Sequence, residues 1–139
     1  MSSSGNKLYP PILNDTLPAF YEENGTAIIT VPFSINRAVS VSDIGQFRLK
    51  IKTVQNNVLL TVLEVKNLTD ISSMLSKGVA KFSWFKTDDS FAKIAIGQYL
   101  KVQMAFTDTS GTIVGYFSNV SVIKYTAKPT VHIINAESS

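Results

Sequence analysis

The chain has 139 residues, 45% hydrophobic and 17% charged, with a formal net charge of +3. That length suits one domain with at most a short overhang, and the ample apolar content with low charge excludes a disordered polyelectrolyte. Cysteine is absent, which removes disulfide frameworks and zinc–thiolate sites, and no run of about 18 apolar residues is present to cross a membrane as a helix.

Residues 1–7, "MSSSGNK", are small and polar and read as a flexible leader, with no apolar run behind the lysine to make a secretory signal. "LYPPILNDTLPAFYEENG" holds three prolines, which cannot donate to a ladder. It reads as an edge-hugging first segment pinned by Tyr9, Ile12, Leu13, Leu17 and Phe20 and closed by an Asn-Gly turn. In "TAIITVPFSI", Ala27, Ile29, Val31 and Phe33 alternate with polar neighbours, and Pro32 marks an edge or a bulge. "FRLKIKTV" is the cleanest strand, with Phe47, Leu49 and Ile51 on one face and Arg48, Lys50 and Lys52 on the other.

Asn56-Asn57 separates that strand from the apolar run "VLLTVLEV", so a hairpin reaching Val65 is expected. "NLTDISSMLSKG" breaks the β pattern. It predicts a helix of at most two turns, N-capped by Thr69, carrying Ile71, Met74 and Leu75 and stopped by Gly78. "VAKFSWF" returns to strand character and "KTDDS" turns. "FAKIAIGQ" sets Phe91, Lys93 and Ala95 opposite Ala92, Ile94 and Ile96. "YLKVQMAF" alternates Leu100, Val102, Met104 and Phe106 with Lys101, Gln103 and Ala105, and after a glycine-containing loop "NVSVIKYT" supplies a closing strand. Seven or so short strands, with turn signals every 8 to 15 residues, predict an all-β antiparallel sandwich with a short helical insertion.

The residues offer little bond-making chemistry. His132 is the only histidine and has no clustered partner for a triad. The adjacent carboxylates Glu22-Glu23 and Asp88-Asp89 lie in turns, where neighbours point apart rather than face each other as glycosidase acids do. "GTIVG" lacks the lysine of a phosphate loop. No enzyme activity, cofactor or metal is expected. The basic ladder Arg48, Lys50, Lys52 is the feature a nucleic-acid reading would use, but Phe47 falls on the opposite face and cannot serve as a stacking platform beside it.

With these strands placed, "IGQYLKVQMAFTDTSGTIVGYFSNVSVIKYT" resembles the last two strands of a fibronectin type III domain. Gly97, Tyr99, Ala105, Gly111, Phe117 and Ser118 follow that family's order. "DIGQFRLKIK" is similar to its third strand and "ITVPF" to its second, with Phe33 where a tryptophan is common. Tyr99 is one residue out of phase with Leu100, Val102, Met104 and Phe106, whereas the family's tyrosine shares the inward parity. The whole chain also looks like the N-terminal domain of bacteriophage tail and other virion structural proteins, through "KLYPPILNDTLPAFY", "TVPFSINRAVS", "FRLKIKTVQ" and "FSNVSVIKYTAKPTV".

The resemblance implies an immunoglobulin/fibronectin type III-like sandwich over residues 8–127. Residues 128–139 would then be a linker or the start of a following domain, with Lys128-Pro129 at the boundary. It implies a non-enzymatic module of a phage particle that docks onto other virion proteins and onto copies of itself. The expected contact surface is Tyr9, Pro10 and Pro11, the ladder Arg48, Lys50 and Lys52, and Tyr116 with Phe117. The competing expectation is a carbohydrate-binding or adhesive module at a bacterial surface, with Tyr116-Phe117 or Trp84-Phe85 as the aromatic platform for a host-surface glycan.

Overall fold

The computed structural model describes residues 10–36 and 41–130. Tyr9, the leader 1–7 and His132, singled out in the sequence, lie outside them. Among the described residues, β1 (Ile12–Leu13), β2 (Glu22–Glu23), β3 (Thr26–Ser34) and β6 (Val79–Phe85) form one antiparallel sheet. β4 (Gln46–Thr53), β5 (Leu59–Val65), β7 (Tyr99–Thr107) and β8 (Ser121–Lys124) form the other, in the order β5-β4-β7-β8. A single α-helix among these residues, α1 (Leu68–Lys77), links β5 to β6. The chain is an all-β sandwich with a short helical insertion.

Period-2 patterning decides which side chains meet between the sheets. Ala27, Ile29, Val31 and Phe33 of β3 face inward, as do Ala80, Phe82 and Trp84 of β6. Phe47, Leu49 and Ile51 of β4 meet them from the other layer, with Leu100, Val102, Met104 and Phe106 of β7 and Ile123 of β8. Aromatic rings gather at two places in this core. Trp84, Phe20, Phe91 and Tyr125 form one group, with Phe20 stacked on Tyr125 at 5.1 Å and Phe91 edge-on to Trp84 at 5.1 Å. Phe33, Phe47 and Phe106 form the other, with centroids 5.7 to 6.1 Å apart. The indole N–H of Trp84 donates to Ser90 Oγ at 2.9 Å, which satisfies a polar atom that burial would otherwise penalise.

Local chemistry explains the turns. Asn24 (φ 56°) and Gly25 (φ 89°) take the left-handed pair that a tight β2–β3 hairpin requires, and Asn56 and Asn57 (φ 64° and 51°) do the same in the loop from β4 to β5. Pro32 pairs with Val79 of β6 and, among the described residues, has no strand on its other side, so it lies at a local edge as expected. The Phe33 N–H donates to Gly78 on the β6 side, so the Pro32 nitrogen faces the other way. There β2 reaches only to Ala27 and β1 begins at Phe33, so no ladder bond is lost.

Three local expectations are corrected. Asn67, not Thr69, caps α1, its carboxamide accepting from the Asp70 N–H at 3.0 Å. The helix runs ten residues, longer than the expected two turns, because Ile71, Met74 and Leu75 all find core to pack against; Gly78 closes it in the left-handed region as expected. "FAKIAIGQ" is not a strand: Asp89–Lys93 forms a 3-10 turn, with the Asp88 carboxylate accepting from the Ser90 N–H and hydroxyl. Burying Phe91 against Trp84 outweighs its alternating pattern.

The first segment does not simply follow one edge. β1 pairs with β3; residues 15–20 then cross to the other sheet and run beside β8, where Leu17 N–H donates to Val122 O and Phe20 N–H to Lys124 O. Leu13, Leu17 and Phe20 are buried there, whereas Ile12 points outward.

Gly45 is the tightest backbone approach: a Cβ there would lie 2.4 Å from Thr109 N and 2.6 Å from Asp108 C. Gly45→Ala should therefore lower stability by about 3 kcal/mol or prevent folding, since backbone cannot give way as a flexible side chain can. An unchanged denaturant midpoint would show that the 108–109 backbone is not seated on Gly45.

Candidate functional site

The outward face of the β5-β4-β7-β8 sheet gathers most of the expected surface residues. Arg48, Lys50 and Lys52 all project there, as their alternation requires, but the fold gives them different partners. Arg48 lies directly opposite Glu64 of β5 and binds its carboxylate with Nε at 3.1 Å and Nη2 at 2.8 Å. Its Nη2 also donates to Gly111 O at 2.9 Å, tying the glycine loop to the sheet. Arg48 is thereby a structural tie. Lys50 lies beneath Phe117, its Nζ 4.0 Å from the ring centroid, in reach of a cation–π attraction. Lys52 lies directly opposite Lys101 of β7, and the Lys101 ammonium donates to Asn57 Oδ1.

The stretch "GYFSNVS" holds this face together. Ser118 is buried; its hydroxyl accepts from the Met104 N–H at 3.0 Å and its own N–H donates to Met104 O at 2.8 Å. Asn119 clamps the first segment, accepting from Leu13 N–H at 3.0 Å and donating to Leu13 O at 2.9 Å. This double bond to a residue 106 positions away is what the aromatic-Ser bend accomplishes. Phe117 is swung over Lys50, while Tyr116 remains 62% exposed.

Lys50, Lys52 and Phe117 are therefore brought together, and Arg48 is near them but committed to Glu64. Of the expected Pro-rich contact element, Pro11 is buried and Pro10 half-buried, so these prolines serve self-packing more than docking. Trp84 cannot act as a glycan platform with Phe85, because the indole is fully buried while Phe85 is 56% exposed. Tyr99 makes no inward corner: its ring is 51% exposed and lies 5.5 Å from Lys124 Nζ. Its departure from the inward parity was the signal for that.

The sequence reading missed Lys101, Asn57, Gln103 and Tyr99, which the β4–β7 pairing and the β4–β5 loop bring to the same face. It also missed a hollow of about 580 Å³ at the loop end of the sandwich, where Gln55, Asn56, Gln98 and Tyr99 line an open mouth. Among the described residues no group of three or more acidic or histidine side chains is placed to hold a metal, and no helix is long and apolar enough to cross a membrane. A scan against protein-family models matches none, and a search of curated proteins finds no match.

Three carboxyls are held below the ordinary range. For Glu64, burial opposes the shift, but hydrogen bonds and charge from Arg48 and Lys66 outweigh it. Asp88 is lowered by the Ser90 hydroxyl and then the Ser90 N–H; Asp108 by the Ser110 hydroxyl and then by backbone N–H groups of its loop. A depressed folded-state pKa contributes stability that is complete above the unfolded value and lost as pH falls through the folded one. Thermal stability should thus fall progressively below a pH of roughly 4. Glu64→Gln should flatten part of that slope. A melting temperature independent of pH between neutrality and pH 2 would refute the assignment.

Proposed function

We propose that the chain is a non-enzymatic docking module of a virion particle, a rigid sandwich that packs onto neighbouring copies and onto other structural proteins. The observation that carries this reading is the edge strand β5. Among the described residues it pairs on one side only, with β4, and the run Val58–Leu63 contains neither charge nor proline. Val58, Leu59 and Val62 are 52, 52 and 42% exposed. Monomeric proteins guard such edges with charge, proline or bulges. The bulge here falls at Leu60, leaving Thr61–Val65 in regular register. α1 packs on β4 and β6. The guards on this edge are that bulge and Glu64, whose carboxylate is held by Arg48 and Lys66, and its apolar run suits a second copy of the same strand, added antiparallel across a two-fold axis.

The strand order supports the fibronectin type III-like side of the reading. The segments similar to that family's second, third and last two strands are β3, β4, β7 and β8, and the last three are adjacent in one sheet. The glycan-binding alternative draws support from a different observation, the hollow beside Tyr99, where Gln55, Asn56 and Gln98 stand among apolar Val54, Val58 and Leu60, because amides and an exposed ring are what a neutral sugar requires. Saturable binding on a glycan array, lost in Tyr99→Ala, would favour it.

Sedimentation of the whole chain tests self-docking. The wild type should associate by about 1 mM, where an interface worth about −4 kcal/mol is half occupied. Val62→Gln should sediment as a monomer with a melting temperature close to that of the wild type, because the side chain faces water in the isolated sandwich and a neutral amide adds no like charge opposite Lys50. A wild type that stays monomeric at that concentration overturns docking through β5.

A further inference from the structure

The β4–β7 register that buries the core also sets Lys52 against Lys101, with Lys50 two residues along on the same face and opposite Gln103. Like charges directly opposed across a ladder destabilise a sheet, yet no carboxylate relieves these three among the described residues. Glu64 is taken by Arg48 and Lys66, Glu22 by Lys86 and Glu23 by Lys128. Lys50, Lys52 and Lys101 line one recess of about 220 Å³ together with Asn57, Gln103 and Val120. Two of the ammonium groups are held in place: Lys101 by its bond to Asn57 Oδ1, and Lys50 by the Phe117 ring. Burial, and then repulsion from Lys52, push the Lys50 ammonium pKa down, as expected where cations crowd together without a counter-charge.

We propose that this recess binds one oxyanion group, a phosphate or sulfate, either free or as a monoester on a small ligand. Two negative charges on a compact tetrahedral group match three lysines around one small recess better than a single carboxylate does. The Asn57 carboxamide uses its oxygen on Lys101 and retains two N–H donors for the anion. The recess is smaller than the roughly 300 Å³ at which drug-sized pockets begin, so it suits one group rather than a whole ligand body. A nucleic-acid strand would instead want cations spread along a track and several free stacking rings, whereas here three lysines line one recess and Phe117 is engaged with Lys50. This site is separate from self-docking through β5, and either can fail without the other.

The test is a titration of the whole, isotope-labelled chain with sodium phosphate against sodium chloride at fixed ionic strength, read by amide chemical shifts. Saturable shifts centred on Lys50, Lys52, Lys101 and Gln103 are expected. In Lys52→Gln/Lys101→Gln the dissociation constant should rise about tenfold, the loss of two partly exposed ion pairs. Lys66→Gln, which removes a lysine bound to Glu64, should bind as the wild type does. Glucose 6-phosphate distinguishes the sources: tighter binding than inorganic phosphate assigns a monoester, and equal binding assigns the free anion. Absence of saturable shifts, or equal shifts in the double variant, overturns the proposal. So does binding confined to a thymidine oligonucleotide, with shifts spread beyond the recess and a steep salt dependence.

Discussion

The pairing of β4 with β7 is the constraint on which the rest of the molecule depends. Phe47, Leu49 and Ile51 face Phe106, Met104 and Val102 across that ladder, and all six side chains are buried. A slip of one residue would turn the whole set toward water and bring Arg48, Lys50 and Lys52 into the core, where unpaired charge is heavily penalised. The register is therefore fixed by burial. The same register fixes what the outer face presents, since Lys52 must then lie against Lys101 and Lys50 against Gln103. The interior and the candidate ligand site follow from one choice of pairing.

Around that pairing the fold seals some edges and leaves others open. Residues 15–20 run beside β8, and Asn119 holds Leu13 through both of its backbone groups. The two aromatic groups draw rings from both sheets and from the loops, so both layers and the segments that connect them pack into one core. Among the described residues β5 and β6 are each paired on one side only, and the two strands approach each other along that side of the sandwich. The same side carries exposed Val58, Leu59 and Val62.

The candidate face was partly legible. Alternation alone put Arg48, Lys50 and Lys52 on a single surface. It could not distinguish their fates, because those depend on partners from other strands. Counting outward from a tight Asn56-Asn57 turn would set Arg48 against Val65. The observed loop begins after Thr53, whose N–H donates to Val58 O, and the bulge at Leu60 shifts the pairing so that Glu64 takes that place. Phe117 is 67 residues from Lys50 in the chain, and nothing in local sequence brings the ring over the ammonium. Trp84 and Phe85 show the same limit in miniature: adjacent aromatic residues on one strand, one wholly buried and one exposed, decided by which parity meets the opposite sheet.

The amino-acid sequence by itself determined the strand class, the inward residues of β3, β4 and β7, the asparagine and glycine turns and the end of α1. Each of these is set by short-range geometry: period-2 alternation, left-handed φ at Asn and Gly, and a helix that stops where the backbone turns left-handed. Only the tertiary structure decided that residues 15–20 change sheets, that "FAKIAIGQ" gives up a strand to bury Phe91, and that Lys52 confronts Lys101. Those outcomes depend on contacts between residues from seven to about a hundred positions apart, where the free energy of burying one side chain against another overrides what the local pattern prefers.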